Sequence, residues 1–312
     1  MQNEVEISAV IPTFNREKTI GRAIESALAQ EHPVSEVIVI DDGSNDNTRK
    51  IVESYGGKCR YVFQENSGVS VARNEGVRRA RCEWIAFLDS DDYWIPQHLL
   101  KLADAIQATN GKAAIYFCDA KHPPDEGGGS HWDSSGLKIN APYLFMRDAS
   151  SWVMMPVQPM LLQASVIKRE SYLDVRGLPP DLRTREDTFL FFKLGLQYPA
   201  CAVFGCGTVM TSDGAMRLTR EIDSTSLSYW QATLSIYREM LSIATCSRPE
   251  YRKYFVDRLS AAYFSLGRLF YRKKKFFNSI RNFMCSAGKS PSMFARCSLQ
   301  SLRSSILNKE PS

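Results

Sequence analysis

No apolar run of about 18 residues occurs anywhere in this sequence, so a helix spanning a bilayer is not expected. The opening residues, Met1-Gln2-Asn3-Glu4-Val5-Glu6, lack the basic and apolar regions of a secretory leader, and the expectation is a cytoplasmic protein. Histidine is scarce, with 4 in 312 residues. The 8 cysteines form no CxxC pair, and no histidine stands beside Cys201 and Cys206 to complete a zinc pattern. Reduced, mostly buried thiols are expected instead. A glycine-rich phosphate loop ending in Gly-Lys-Ser or Gly-Lys-Thr is missing, which excludes P-loop kinases and GTPases. Internal repeats and low-complexity tracts are absent too. What remains is an ordinary globular composition, 44% hydrophobic and 23% charged, in a chain long enough for one large domain or two closely packed ones.

Charge is unevenly placed. The net charge of +5 conceals a segment, residues 251–312, that carries +11, while the rest of the chain carries −6. An acidic body is joined to a basic tail.

The first ninety residues alternate strand-like and helix-like stretches. Ile7 to Ile11 is a short β-rich run ending at Pro12, and Thr13 and Asn15 offer capping oxygens to a helix with Ile20, Ile24, Ala27 and Leu28 on one face. Val37 to Ile40 is apolar on both sides, as a strand inside a parallel sheet should be. Asn45 to Thr48 supply caps for a second helix that stops at Gly56-Gly57. Arg60 to Phe63 reads as a third strand, Val69 to Ala80 as a third helix and Trp84 to Leu88 as a fourth strand. This spacing predicts right-handed crossovers and a doubly wound α/β sheet, in which ligands bind beyond the carboxyl ends of the strands. Thr13, Asp42 and Asp91 each follow a strand end, so three polar turns converge on one crevice. Residues 96–115 read as a helix and 121–136 as a loop, in which His131 and Trp132 either form a lid over a ligand or sit on a plain surface loop. Beyond 225 the pattern is helical, with Phe255, Leu259, Ala262, Leu266 and Leu269 on one stripe.

The chemistry concentrates in Asp89-Ser90-Asp91-Asp92. Three carboxylates in four residues repel one another unless a cation neutralises them. Hard oxygen donors of this kind suit Mg2+ or Mn2+ brought in with a diphosphate. A solvated acidic turn is the alternative for such a motif taken alone. Asp41-Asp42-Gly43-Ser44 is also compatible with a plain turn, but at a strand end its carboxylate can accept hydrogen bonds from a base or a ribose hydroxyl.

Four ordered stretches carry a resemblance: Val10 to Arg16, Ile40 to Ser44, Ala72 to Gly76 and Phe87 to Asp92. Together they resemble the family 2 glycosyltransferases of the GT-A fold, which invert the anomeric carbon. The likeness covers the first third of the chain closely. It implies a Rossmann-like, doubly wound mixed sheet with a C-terminal helical extension. Residues 1–95 would form the nucleotide-sugar-binding half of the GT-A domain, 96–222 the acceptor-binding half, and 223–312 the basic helical extension. It further implies a donor pocket built from Pro12, Thr13, Asn15, Arg16, Asp41, Asp42, Arg73, Asp89 and Ser90, with Asp91 and Asp92 holding Mn2+ or Mg2+. Thr184 to Leu190 resembles the family's Glu-Asp pair. An inverting transferase needs one carboxylate to take the acceptor's proton, and Asp187 is the candidate base, with Glu186 orienting it or the acceptor. Arg217 or Arg220 could contact the leaving diphosphate.

The implied reaction moves a sugar from a nucleotide-sugar donor, expected to be UDP-linked, to a hydroxyl of a glycan or lipid-linked acceptor in bacterial polysaccharide or lipid-linked glycan assembly. The alternatives are a sugar-nucleotide pyrophosphorylase, whose basic glycine-rich N-terminal loop is missing, and a non-catalytic nucleotide-sugar-binding module, whose hallmark would be loss of the metal acids or the base. A glycoside hydrolase has no use for the metal acids. For the basic, aromatic tail (Tyr271 to Phe277, then Arg281, Phe283 and Met284) three readings stand. The first is peripheral contact with an anionic membrane, at the inner face of the cell membrane. The second is attraction of nucleic acid, although no base-reading motif accompanies it and no nucleic-acid partner is expected. The third is plain packing as helices with solvated lysines. The family's frequent lipid-linked acceptors favour the first.

Overall fold

A computed structural model describes residues 4–123, 127–211 and 225–307, with side chains up to residue 301. It divides into two compact units, one comprising Met1–Leu182 with Glu186–Ala215 and the other Arg183–Arg185 with Met216–Ser312.

The first unit is built on a nine-stranded mixed sheet. Its strands are β1 (Ile7–Thr13), β2 (Glu36–Asp41), β3 (Arg60–Phe63), β4 (Trp84–Phe87), β5 (Tyr93–Trp94), β6 (Ile115–Lys121), β7 (Tyr143–Met146), β8 (Ser165–Lys168) and β9 (Ala200–Val209). They lie in the order β3-β2-β1-β4-β8-β6-β9-β5, and β7 pairs with β9. The first four are parallel, β8 runs against both β4 and β6, and β6 and β9 are parallel. Every residue of β1 and β4 is buried. Burial on both faces is what the apolar runs required.

Helices α1 (Ile20–Leu28), α2 (Thr48–Glu53) and α3 (Val69–Arg79) form the expected crossovers. The inner stripe of α1 is Ile20, Ala23, Ile24 and Ala27, all buried. Each fully buried Ile contributes about 1.5–3 kcal/mol, which outweighs the missing side-chain cap at Thr19. The caps expected of Thr13 and Asn15 do not form, whereas within Asn45 to Thr48 the Asp46 carboxylate accepts from the Thr48 N–H at 2.9 Å at the start of α2. Thr13 is the last residue of β1, and Asn15 adopts a left-handed backbone (φ 51°) with its Oδ1 accepting from the Asn45 N–H at 2.9 Å.

Two further expectations are corrected. The helix expected over 96–115 is α4, His98–Ala108; Asn110 and Gly111, both at positive φ, turn the chain out of it before β6. The apolar Ala113 to Ile115 that extended the helical pattern belongs to the entry into the sheet. The supposed loop over 121–136 contains α5 (His131–Ser135), and Trp132 is buried rather than on a lid. Its ring packs edge-on against Phe117, its indole N–H donates to the Pro159 carbonyl at 3.1 Å, and its backbone N–H donates to Asp119. A Trp with its N–H satisfied gains more inside than over a cleft. Helices α6 (Ser150–Val153), α7 (Arg169–Asp174) and α8 (Glu186–Gln197) complete the unit.

The second unit is helical: α9 (Leu227–Ser247), α10 (Arg252–Arg272), α11 (Phe276–Lys289) and α12 (Pro291–Leu307). The stripe read in the sequence, Phe255, Leu259, Ala262, Leu266 and Leu269, is buried on α10. Arg185 Nη1 donates to Thr233 Oγ1 at 2.6 Å, and its guanidinium lies over the Tyr229 ring. Among the described residues no helix is long and apolar enough to cross a membrane. The cysteines are free thiols, but they are not mostly buried: Cys82, Cys118 and Cys201 are, Cys59, Cys206 and Cys297 are half-buried, and Cys246 and Cys285 are exposed.

Candidate active site

Parallel register brings the acidic strand ends together. Thr13 pairs with Asp41 across β1 and β2, the Asp42 N–H donates to the Thr13 carbonyl at 2.9 Å, and the Leu88 N–H donates to the Val10 carbonyl at 3.0 Å. The turn after β4 therefore emerges beside the turn after β1, as sheet topology alone demands.

On the β1–β2 side, the two neighbouring aspartates are held differently. Asp41 is fully buried; it accepts from the Ser44 N–H and from the Tyr61 hydroxyl, both at 2.8 Å. Burial, then the bond to Asp41, push the Tyr61 hydroxyl well above its ordinary value. Asp42 gathers the segment between β3 and α3, accepting from Gln64 Nε2 at 2.7 Å and from the backbone N–H groups of Ser67 and Gly68 at 2.8 Å each. The turns after β1 and β2 interlock: the Asn15 N–H donates to Ser44 Oγ, and the Arg16 N–H to Thr48 Oγ1. Thr13 Oγ1 and Ser70 Oγ are buried without a hydrogen-bond partner. A polar group left in that state costs about 1–3 kcal/mol, so it marks a place where a ligand could contribute.

On the β4 side, one carboxylate oxygen each of Asp89, Asp91 and Asp92 lie within 4.8 Å of one another. Asp92 is buried and accepts from the Thr211 N–H at 3.0 Å. Arg22 on α1 donates to the Asp91 carbonyl at 2.6 Å and to Thr211 Oγ1 at 2.7 Å, and its guanidinium stacks over Tyr93. Arg16 Nη2 stands 3.7 Å from Asp91 Oδ2. This donor set is all hard oxygen and fits a divalent ion such as Mg2+ or Mn2+, which would relieve the mutual repulsion of the three acids.

Arg73 links the two acidic segments. From α3 its Nη2 donates to Asp89 Oδ1 at 2.7 Å and its Nη1 to Glu186 Oε1 at 3.0 Å, with only 7% of the side chain exposed. Its Nε–H is buried without a partner. Burial lowers the guanidinium's affinity for its proton, but Asp89 and Glu186 outweigh that and raise it. Glu186 opens α8, where the helix dipole favours acids. Burial, reinforced by the Asp187 charge, nevertheless holds the Glu186 carboxyl above its ordinary value against the pull of Arg73. Asp187 Oδ1 accepts from its neighbour's Thr188 N–H at 2.5 Å.

The structure thus brings Thr13, Asp41 and Asp42 to adjoining strand ends, and gathers Arg16, Arg73, Asp89, Asp91, Asp92 and Glu186 through direct contacts. Arg217 and Arg220 lie outside the described residues. Arg22, Gln64, Tyr61 and Thr211 escaped the sequence reading. They are isolated polar residues far from the motifs they support, and no local pattern marks them.

Residues 8–160 match the family model described as glycosyl transferase family 2. An uncharacterized glycosyltransferase of Nostoc sp. is 35% identical over 37% of this chain and 37% of its own length. The succinoglycan biosynthesis protein ExoO of Rhizobium meliloti is 39% identical over 35% of this chain and 32% of its own length. This chain therefore spans well under two thirds of the length of these relatives. Among solved structures, S. aureus TarS 1-349 in complex with UDP-GlcNAc superposes with a TM-score of 0.62 at 17% identity, covering 92% of both chains. A mannosyltransferase from Pyrobaculum calidifontis, solved with GDP-Man and Mn2+, superposes with a TM-score of 0.57 at 15% identity, covering 98% of this chain and 81% of the other. The fold is that of the GT-A glycosyltransferases, an α/β mixed sheet with a helical C-terminal part, and the family 2 resemblance read in the sequence is supported over its N-terminal half.

Proposed function

We propose that this chain, whose residues 8–160 match the family 2 glycosyl transferase model, transfers a sugar from a nucleotide-activated donor to a hydroxyl acceptor with inversion at the anomeric carbon. The observation that carries the reading is Arg73 bridging Asp89 and Glu186, because it draws the acids after β4 and the acids of α8 to one cation. A donor site and a proton acceptor must adjoin for a single displacement.

In this reading Pro12, Thr13, Asn15, Arg16, Asp41 and Asp42 form the base and ribose side of the pocket. Asp42 acts by organising residues 64–68, and Asp41 by holding the turn that positions it. Arg73 holds Asp89 toward the donor, with Ser90 beside it. Asp91 and Asp92 would hold Mn2+ or Mg2+, whose charge would neutralise the leaving diphosphate. Asp187 takes the proton from the acceptor hydroxyl while that oxygen bonds to the anomeric carbon and the bond to the diphosphate breaks. Glu186, fixed by Arg73, orients the acceptor beside it. The UDP-GlcNAc complex of a protein with the same fold supports a UDP-linked donor, and the Mn2+ complex of another supports a divalent metal. The succinoglycan biosynthesis relative supports a role in polysaccharide assembly, with a glycan or lipid-linked acceptor.

A nucleotide-sugar panel tests this. Slow release of one nucleoside diphosphate is expected only with Mn2+ or Mg2+, and Asp91→Ala abolishes it. Asp187→Asn should retain donor binding and lose transfer by at least about a hundredfold, the lower range for a general base. Failure of every donor to bind, with or without metal, would reduce the chain to a non-catalytic module.

A further inference from the structure

Helix α11 wears its amphipathicity inside out. Its buried face is small and polar, made of Ser279, Asn282 and Ser286. Ser279 Oγ donates to the Gly267 carbonyl at 2.9 Å, Ser286 Oγ donates to the Ser260 carbonyl at 2.8 Å, and Ser260 Oγ returns a bond to the Ser286 carbonyl at 2.9 Å. These bonds stitch α11 to α10. A Cβ at Gly267 would lie 2.8 Å from the Phe283 ring, so the approach is close and small residues are required on this side.

Phe283 packs against Phe264 of α10, but the other large apolar side chains point the other way. Phe277 is 80% exposed and Met284 70%, with Ile280 and Phe276 also exposed. Residues 277, 280 and 284 share one helical face. Tyr271, exposed at the end of α10, meets Phe276 ring to ring at 5.8 Å and continues the patch. Among the described residues nothing covers it. A contiguous apolar stripe in water normally marks a contact surface.

The charge around the stripe selects the occupant. Arg272, Lys273, Lys274 and Lys275 precede it, Arg281 and Lys289 flank it, and no Asp or Glu occurs from residue 258 to 309. None of these six cations forms a salt bridge among the described residues. A second copy meeting this face about a two-fold axis would oppose one cationic cluster to another. Nucleic acid would take the cations and leave the stripe in water. A bilayer surface with anionic headgroups satisfies both halves of the pattern.

We propose that α11 docks on an anionic lipid surface, with Phe277, Ile280 and Met284 entering the acyl boundary and Lys273 to Lys275 at the headgroups. This goes beyond sugar transfer and does not rest on it.

Flotation of the full chain with vesicles tests the assignment, comparing phosphatidylglycerol–phosphatidylcholine mixtures with phosphatidylcholine alone. The parent should float with the mixed vesicles and not with the neutral ones. Replacing Lys273, Lys274 and Lys275 together by Gln should weaken partitioning about a hundredfold, roughly a factor of five for each residue, and salt near 0.5 M should release the protein. Phe277→Glu with Met284→Glu should abolish flotation while circular dichroism and thermal unfolding stay unchanged; Phe277→Ser with Met284→Ser serves as a milder second variant. Equal flotation of parent and Glu variants, or equal binding to neutral vesicles, would overturn the proposal. So would a lipid-free dimer in sedimentation velocity that dissociates in the Glu variants, which would assign the stripe to a second copy.

Discussion

At the scale of single residues, the molecule concentrates its electrostatic cost at Arg73. One guanidinium, 7% exposed, serves Asp89 and Glu186, and removing one partner from a buried network of this kind costs about 3–5 kcal/mol. Charge alone does not settle the protonation of Glu186. Burial and the adjacent Asp187 raise its carboxyl above the ordinary 4.5 and win against the cation. The sign of the pH effect follows. A carboxyl that binds its proton more tightly folded than unfolded contributes its full stability below 4.5 and loses it as pH rises through the folded value. Glu186→Gln cannot titrate, so urea midpoints measured from about pH 5 to 8 should decline less with rising pH than in the parent. An identical slope in the two proteins would mean that Glu186 keeps an ordinary pKa.

At the scale of elements, the position of the candidate site depends on how closely α3 lies on the sheet. A Cβ at Gly76 would stand 2.2 Å from Val10 Cγ1, so the helix that carries Arg73 rests on the strand that ends at Thr13 with no room for a methyl group. Gly76→Ala should destabilise by about 1–3 kcal/mol through overpacking, although alanine is the better helix former. Adding Val10→Ala opens space at that contact, so the double variant should be less destabilised than the sum of the two single changes in urea unfolding. Strict additivity would show that Gly76 matters for another reason. The same scale explains why Trp132 left the expected lid: burying an indole with its N–H paired outweighs keeping it over a cleft, and Asp119 anchors its backbone.

At the scale of the whole molecule, a sheet whose first four strands are parallel places its acidic turns at one end of those strands, and the three carboxylates gathered there, beside Arg73 and Arg16, would gain further from a divalent cation. Ligand binding should therefore stabilise the protein. At a hundredfold excess over its Kd, a nucleotide sugar with Mn2+ should add about 2.7 kcal/mol, visible as a raised Tm that chelation reverses. A Tm indifferent to both would count against a metal-assisted donor site. Charge is also segregated along the chain, +11 over residues 251–312 against −6 elsewhere.

The sequence by itself determined the alternation of β1 to β4 with α1 to α3, the buried stripe of α10 and the acidic strand ends, because each is a local pattern of hydrophobic period or of polar residues at a strand end. Buried parallel strands and an amphipathic helix announce themselves within a dozen residues. Tertiary structure decided what local patterns do not encode. Arg22 reaches Thr211 across 189 positions, Arg73 reaches Glu186 across 113, and Gln64 and Tyr61 serve Asp42 and Asp41 from the next strand. It also decided that α11 turns Ser279 and Ser286 inward and Phe277 and Met284 outward, since a helical pattern fixes which residues share a face, while the neighbouring helix determines which face is buried.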